Sequence, residues 1–401
     1  MEIRPILASL RKHRIPAALI VLEIALACAV LCNAVFMIGQ RIADIRWPNA
    51  IDEQGLTVVT VNGADPKLAA SDIPRDLAAL RGIAGVTAVA AVTSMPLDQN
   101  PALSDFTTTP DGKTTVNTSI YFLGRDGERA LGLRLLEGRF FNADEYADSG
   151  FKDFNSTGHA MLITQSDAQR LWPGQNALGK TLYTNDRSWT VVGVVADVLA
   201  QDPKFSGPGG IYSSVFFPLQ PDGVMGDYVL RSAPQDRARI LREAVQLLGK
   251  LESAAVVDGA TYAGMRSDYF ANTRSMAWML LLVCVVMLAV TAFGIVGLTS
   301  FWVGQRRRQI GIRRAVGATR GHILQYFQTE NFLLGAAGVV LGMLLAFGIN
   351  LYLMEHYEIA RMPWYYLPVS AAALWVLGQL AVLGPALRAA NVPPVVATRS
   401  T

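Results

Sequence analysis

Four long apolar runs constrain this 401-residue chain more than any other feature. A helix needs about 20 apolar residues to cross the hydrocarbon core of a bilayer, and each run is at least that long. Only 17% of the residues are charged, against roughly 25% in soluble domains. The sequence therefore predicts a membrane α-helical protein with four transmembrane helices, at about residues 15–39, 276–303, 332–354 and 367–387.

Charges beside the apolar runs predict the topology. Residues 1–14 carry three arginines and a lysine, and we expect an interfacial helix on the inner leaflet there. Six arginines lie in segment 304–331, whereas the short loop 355–366 carries only Arg361. Because cationic segments stay on the cytoplasmic side, we expect both termini, segment 304–331 and the tail 388–401 inside. Residues 40–275 are then extracytoplasmic.

The long insert between the first two runs has the pattern of an α+β domain. Residues 99–116 and 201–210 are rich in turn formers and predict surface loops. We find no catalytic constellation: His159 precedes a strand without an obvious partner, and the three cysteines lie in apolar runs. The strands are expected at 56–62, 86–92, 119–123, 160–164, 189–197, 215–219 and 228–231, and the helices at 73–80, 166–172 and 236–251.

Two short segments join the insert to its neighbouring runs. Ile42 and Ile45 continue the first run at helical spacing as far as Trp47-Pro48. Tyr262, Met265 and Tyr269 lead into the second run without an evident breaker. We expect residues 41–47 and 262–275 to form stalks beyond the membrane, the second of them as one long helix with its span.

One acid interrupts the first apolar run. Glu23 lies about two turns from the expected cytoplasmic end, where an ionisable group is costly to bury. A hydrogen bond to a neighbouring helix or to local water is the expected arrangement.

The basic stretch Gln305–Arg320 separates the second and third runs. Ile312, Val316 and Ile323 fall at helical spacing, so the segment can present one apolar face along a basic helix. Two interpretations follow. The cluster either fixes topology and faces lipid, or forms a docking helix for a cytosolic partner.

Residues 306–320, Arg-Arg-Arg-Gln-Ile-Gly-Ile-Arg-Arg-Ala-Val-Gly-Ala-Thr-Arg, resemble the signature of FtsX/MacB-type ABC permeases. Gln309 replaces the usual Glu, and Val316 the usual Leu. The tail 385–394 resembles the closing motif of that family, and segments 135–141 and 189–197 resemble the MacB-like extracytoplasmic core. The resemblance implies a permease of the type VII, mechanotransmission superfamily in a bacterial inner membrane.

The resemblance also implies how such a permease works. A separate cytoplasmic ABC ATPase dimer would bind ATP and Mg, and its motion would pass through the stalks to the extracytoplasmic domain. We expect no enzymatic site, no cofactor and no ATP-binding loop in this chain. The implied ATPase-coupling segment includes Arg308, Ile310, Gly311, Ile312, Arg313, Arg314, Val316, Gly317 and Ala318.

The expected function is efflux of a drug, peptide or other periplasmic substrate. Its partners would be a second permease copy or a paralogue, membrane lipid, a periplasmic adaptor and an outer-membrane channel. Nucleic acid is not expected, since the net charge is only +3. Three alternatives stay open: lipoprotein release from the membrane, FtsX-like control of a cell-wall hydrolase, and a membrane-anchored sensor without an ATPase.

Overall fold

The structure is a computed structural model that describes residues 14–99, 101–110, 112, 115–146, 160–184, 187–204, 210–219, 226–357 and 361–391. The predicted interfacial helix up to residue 13, His159 and the last three residues of the tail motif, 392–394, lie outside these ranges. The chain divides into two compact units. The inserted domain is Trp47–Asn272, and the membrane unit combines the residues before it with those from Thr273 onward.

The described residues form ten α-helices. In chain order they are α1 Arg14–Ile45, α2 Ala69–Arg81, α3 Gly127–Leu131, α4 Gln165–Leu171, α5 Arg237–Leu251, α6 Tyr262–Tyr269, α7 Ala271–Gln305, α8 Arg307–Ala315, α9 Arg320–Tyr357 and α10 Tyr366–Ala390.

Eleven strands are present in the same ranges. They are β1 Leu56–Asn62, β2 Val86–Val92, β3 Leu103–Thr107, β4 Thr115–Leu123, β5 Leu135–Gly138, β6 Ala160–Thr164, β7 Thr181–Thr184, β8 Arg187–Val195, β9 Ser214–Pro218, β10 Asp227–Ser232 and β11 Val256–Thr261.

The helices α1, α7, α9 and α10 are long and apolar enough to cross a membrane. They extend past the predicted spans: α9 begins at Arg320 rather than near residue 332, and α10 continues through Pro385 to Ala390. The predicted fold class is confirmed, because a domain of mixed helices and strands lies between the first two long helices.

Small residues bring α1 and α9 close together. A Cβ atom on Gly342 would lie 2.5 Å from Cys28 Cβ and 2.7 Å from the carbonyl oxygen of Ala25. One on Gly338 would lie 2.8 Å from Ile24 Cβ. The Gly338-x-x-x-Gly342 pair therefore permits a close helix crossing, as small residues do in membranes.

Buried amides add polar contacts between the long helices. Asn33 Nδ2 on α1 donates to the carbonyl oxygen of Ala346 on α9 at 3.2 Å. Asn331 Nδ2 on α9 donates to the carbonyl oxygen of Gly378 on α10 at 3.0 Å. These bonds satisfy groups that hydrocarbon cannot solvate.

The strands of the inserted domain make one mixed sheet with two halves. In the first half, β11, β1, β10 and β2 are antiparallel neighbours. Helices α2 and α5 cover this half, where the amphipathic pattern buries Leu80, Ile240 and Leu248 with the sheet.

In the second half, the strand pairings close on themselves in the order β4, β3, β7, β8, β6, β9 and back to β4. A core that includes Phe106, Trp189 and Phe217 is built from these strands. Closure removes the exposed strand edges that an open sheet would present.

One predicted surface loop contains a strand, and a second begins with a buried side chain. Segment 99–116 contains strand β3, which pairs with β4 and β7. In segment 201–210 the side chain of Gln201 is fully buried. Its Nε2 donates to the carbonyl oxygen of Ile120 at 2.7 Å, and its Oε1 accepts from the amide of Ala102 at 2.6 Å. Both segments are rich in turn-forming residues, and such a composition does not show which of their polar groups form hydrogen bonds inside the domain.

The predicted continuous stalk helix is also wrong. Helix α6 ends at Tyr269, and Phe270 (φ −90°, ψ 5°) separates it from α7. Tyr262 and Phe270 are fully buried, and Tyr269 is nearly so. Because these aromatic side chains are buried within the inserted domain, α6 belongs to that domain rather than to a stalk. Ile42 and Ile45 belong to the end of α1, before Pro48.

Candidate functional site: the linker between the second and third long helices

The basic linker is a short helix followed by a tight turn. Helix α8 covers Arg307–Ala315, and Gly317 then adopts a left-handed conformation with φ +104°. The hydroxyl of Thr319 accepts the amide of His322 at 3.2 Å, which caps the start of α9. A residue with a side chain would be strained at Gly317, so the glycine ends α8 and turns the chain into α9.

The prediction of one apolar face from Ile312 to Ile323 is therefore wrong. Ile323 lies on α9 and is buried in the core of the membrane unit. Ile312 is 49% exposed and Val316 is 84% exposed. The break at Gly317 reduces the exposed apolar surface to these two side chains, which are one turn apart.

The other predicted coupling residues fall on both sides of this linker. Ile310 and Gly311 are buried, Arg314 and Ala318 are half-buried, and Arg308, Arg313 and Gly317 are exposed. The guanidinium of Arg313 lies 5.0 Å from the centre of the Tyr326 ring on α9. Helix α8 thus packs one face against the membrane unit and presents a basic face carrying Ile312 outward.

A buried ion pair lies at the start of α8. Arg306 is 8% exposed and Glu330 is 2% exposed. Arg306 Nη1 donates to both carboxylate oxygens of Glu330, at 3.2 and 3.1 Å, and its guanidinium lies 5.5 Å from the Trp302 ring centre. In the sequence, Arg306 is one of six similar arginines. The missed signal was Glu330, a single acid just before an apolar run.

Glu23 does not make the expected helix-to-helix hydrogen bond within the described residues. Its carboxylate packs instead on Gly294 of α7, where an added Cβ atom would lie 2.0 Å from Oε1. Nothing in the sequence indicates this contact, because the two residues are far apart in the chain. Gly294 provides space for an acid between two long helices.

Arg266 joins the two ends of the inserted domain. Its Nη1 donates to Glu53 at 2.7 Å and its Nη2 donates to the carbonyl oxygen of Trp47 at 2.6 Å. Its guanidinium also lies over Phe270, 5.5 Å from the ring centre, and Trp47 meets that ring edge-on at 6.0 Å. The chain therefore enters and leaves the inserted domain at one place.

The three residues of the second predicted stalk, which are Tyr262, Met265 and Tyr269, lie near this junction. The hydroxyl of Tyr262 accepts from Asn49 Nδ2 at 3.1 Å. The hydroxyl of Tyr269 donates to Asp202 at 2.6 Å, and Met265 packs partly buried against the core. These contacts hold α6 to its domain.

The expectation that no phosphate-loop pattern occurs is wrong at the level of sequence. Gly174-Gln-Asn-Ala-Leu-Gly-Lys-Thr181 matches G-x-x-x-x-G-K-T. A phosphate loop requires a strand before it and a helix after it. Here the segment follows helix α4 and leads into strand β7.

The backbone donors of this segment are also already occupied. The amide of Gly179 donates to the carbonyl oxygen of Val191 at 2.8 Å, and that of Lys180 to Ala177 at 3.2 Å. The amide of Leu178 donates to the side chain of Asn176 at 2.8 Å. Lys180 itself contacts Gln175 and lies over the Trp172 ring, 5.2 Å from its centre. The match is therefore a structural turn.

One acidic cavity of about 390 Å³ lies in the inserted domain, lined in part by Asp98, Asp227 and Asp258. Burial raises the pKa of Asp227 to about 6, although the hydroxyl of Thr60, donating at 2.6 Å, acts in the opposite direction. Burial likewise raises the pKa of Asp98. Among the described residues, no group of three or more His, Cys, Asp or Glu side chains could hold a metal ion.

Comparison with known proteins shows which families this chain is similar to. The MacB-like periplasmic core domain family matches residues 20–261, and the FtsX-like permease C-terminal family matches residues 281–394. The macrolide export ATP-binding/permease protein MacB of Chromobacterium violaceum is 27% identical over 96% of this chain and 58% of its own length. The chain thus spans little more than half of that relative.

Two further relatives are similar. The uncharacterized ABC transporter permease YvrN of Bacillus subtilis is 29% identical over 67% of this chain and 66% of its own length. The periplasmic region of MacB from Actinobacillus actinomycetemcomitans covers 57% of this chain and 97% of that structure, at 16% identity and a TM-score of 0.37. Because the core-domain family alone matches more than half of the residues, the chain belongs to the FtsX-like ABC transporter permeases that carry a MacB-like periplasmic core domain.

Proposed function

We propose that this chain transmits ATP-driven motion from a cytoplasmic ABC ATPase to its inserted domain outside a bacterial inner membrane. The single observation that carries the proposal is helix α8. It joins two long apolar helices, exposes Ile312 and Val316 on a basic surface, and buries Ile310 against the membrane unit. An exposed apolar pair beside so many cations fits an apolar groove with an acidic rim.

The ATPase is proposed as a dimer that binds ATP and Mg and docks on α8. The name of the Chromobacterium violaceum relative couples ATP binding and permease in one protein, which supports the pairing of these two activities. Segment 174–181 does not supply an ATP site, because its amides are bonded within the protein.

The route of the motion follows from chain connections. Helix α8 follows α7 directly, and α7 begins at Ala271, just after the buried Phe270. Helix α1 reaches the inserted domain through the residues between Ile45 and Trp47. Since Arg266 binds both Trp47 and Phe270, the two long helices act on one junction of the domain.

The charge distribution supports the orientation of this route. The exposed arginines of the linker support a cytoplasmic position for α8 and for both termini. The inserted domain then faces the periplasm, where we propose efflux of a drug, peptide or similar substrate. A second permease copy or paralogue, a periplasmic adaptor and an outer-membrane channel complete the proposed assembly.

The substitution Ile312→Asp tests the docking surface. Burying one such apolar side chain is worth about 1.5–3 kcal/mol, and about 1.4 kcal/mol is a factor of ten in affinity. We expect the variant to bind the ATPase about tenfold more weakly than the wild-type chain, or weaker still. Co-purification and titration in lipid nanodiscs measure the difference.

The matched control is Arg307→Ala, on the same helix. Arg307 is exposed, and a solvent-screened arginine contributes under about 1 kcal/mol. Membrane insertion should be normal in both variants, because most linker arginines remain. Normal ATPase binding by Ile312→Asp together with lost binding by Arg307→Ala would show that charge alone governs recognition and that the apolar docking surface is wrong.

A further inference from the structure

The Arg306–Glu330 pair joins the corner between α7 and α8 to α9. Arg306 separates α7 from α8, and Glu330 lies on α9. The amide of Arg306 donates to Trp302 at 3.0 Å, and the amide of Ile310 donates to Arg306 at 2.9 Å. Arg306 itself has φ −99° and ψ 7°, outside the helical range, so the backbone can bend at this corner although two hydrogen bonds cross it.

The opposite end of α8 has a different character. Val316 and Gly317 are exposed, and the left-handed Gly317 connects α8 to α9 through a turn. A Cβ atom at Gly317 would meet nothing within 4 Å. The glycine turn offers little resistance to bending, whereas the ion pair gives a fixed link from the start of α8 to α9.

The pair is poorly explained by stability alone. Taking two charges out of water costs free energy, and apolar residues of similar size often stabilise a fold as well or better. Within the described residues, Arg306 Nη2 and Trp302 Nε1 are also buried without a hydrogen-bond partner, which adds a further cost. Such a pair is better suited to specifying one geometry, as buried polar groups do in some proteins.

A role in topology alone does not explain the pair either. An arginine that only marks the cytoplasmic side can remain in water or reach the headgroups. Arg306 is instead almost fully buried and bonded to a carboxylate with both oxygens engaged. Its exposed neighbours Arg307 and Arg308 already provide the charge.

We propose that Arg306 and Glu330 are positioning residues which make α7, α8 and α9 move as one body when the ATPase acts on α8. This inference rests on the proposed function. Without the pair, α8 can follow the ATPase by bending at Gly317 and at the α7–α8 corner. ATPase docking then persists, but the motion no longer reaches α9 or the inserted domain.

The test uses the full chain with the ATP-binding subunit that co-purifies with it, in lipid nanodiscs. The variants are Arg306→Gln, Glu330→Gln and the charge swap Arg306→Glu/Glu330→Arg, with Arg307→Gln as the exposed control. Two quantities are measured: the amount of ATPase retained, and the change in hydrogen exchange of residues 47–272 on adding ATP with Mg.

We expect both single variants to retain an amount of ATPase within about twofold of wild type. The effect of ATP with Mg on hydrogen exchange in residues 47–272 should become about fivefold smaller, or smaller still, because fivefold is the lower end of typical coupling between two sites. The charge swap should recover part of it, and Arg307→Gln should behave as wild type. Recovery by the swap identifies a pairwise role even where a single variant fails to fold.

Two results would overturn the inference: normal ATP-dependent exchange in a folded single variant, or a folded charge swap without any recovery. A wild-type chain that retains no ATP-hydrolysing subunit would instead count against the proposed function itself.

Discussion

The inserted domain buries most of its large apolar side chains, whereas the membrane unit leaves many of its own exposed. In the inserted domain, large side chains such as Phe217 and Trp189 lie in the core. In the membrane unit, Phe293 is 76% exposed and Trp278 is 69% exposed, whereas Ala25 and Gly342 are buried. Water drives large apolar groups inward in the first unit. Lipid surrounds the helices of the membrane unit, so the hydrophobic effect does not hold them together there. Close packing and polar contacts do so instead.

This difference has a consequence for function. A domain with a large apolar core resists deformation, as the proposed transmission of motion through one junction requires. Helices held by small residues and a few polar contacts can shift relative to one another, unless a specific link joins them. The Arg306–Glu330 pair and the Asn33 bond to Ala346 are such links.

The largest expected effect comes from truncating the aromatic core of the inserted domain. Phe217 is 1% exposed, and its ring centre lies 4.6 Å from that of Trp189. Phe217→Ala should lower the free energy of unfolding of this domain by about 3–5 kcal/mol. Denaturant-dependent hydrogen exchange of β6, β8 and β9 in the full chain measures the change.

The control for this variant is Leu136→Ala in the same domain, where the side chain is 40% exposed. It should change stability by well under half as much. An equal loss in both variants would mean that the aromatic cluster is not the stabilising core.

A buried acid predicts a pH dependence confined to the inserted domain. Burial raises the pKa of Asp167 to about 6, against hydrogen bonds from the Ser213 hydroxyl at 2.7 Å, the Thr118 hydroxyl at 3.3 Å and the Ser214 amide at 3.0 Å. The folded state therefore holds the proton more tightly than the unfolded state, whose pKa is 3.8. The stability that this group contributes is present below pH 3.8 and is lost as the pH rises through about 6.

The variant Asp167→Asn removes this titration. Between pH 4 and pH 7, wild-type stability should fall relative to the variant by about 2.5 kcal/mol, since one pKa unit is worth about 1.4 kcal/mol and part of the effect is already lost at pH 4. Unfolding of the inserted domain at the two pH values measures the difference. Parallel changes in wild type and variant would show that Asp167 ionises without a folding cost.

A smaller effect is expected from a single methyl group in the membrane unit. Gly342→Ala places a Cβ atom 2.5 Å from Cys28 Cβ, so α1 and α9 must separate. Overpacking of this kind costs about 1–3 kcal/mol. Gly348→Ala on the same helix meets nothing within 4 Å and should be neutral. Thermal unfolding in detergent distinguishes them, and equal stability would disprove the close crossing.

The sequence predicted most of what depends on local pattern. Strands β1, β2 and β6 have the predicted bounds, because alternating or continuous apolar runs bounded by turn residues specify them. Strands β3 and β7 were missed, since they are short, polar and defined by their neighbours in the closed ring.

The candidate site was predicted less completely. The position of α8 followed from its charges and its place between two apolar runs. The break at Gly317 and the burial of Ile323 did not, because helical spacing alone cannot show where a chain turns. The partner of Arg306 lies 24 residues further along the chain, so only the three-dimensional structure shows that the two residues meet.

The most direct test of ATPase docking on α8 is site-specific photo-crosslinking in intact membranes. A photoreactive amino acid replaces Ile312 or Val316 in turn, with Leu344 on α9, which is 68% exposed, as the lipid-facing control. Both linker positions should crosslink to an ATP-binding subunit, and Leu344 should not. Crosslinks from Ile312 and Val316 to lipid alone, in membranes that contain the subunit, would contradict the account.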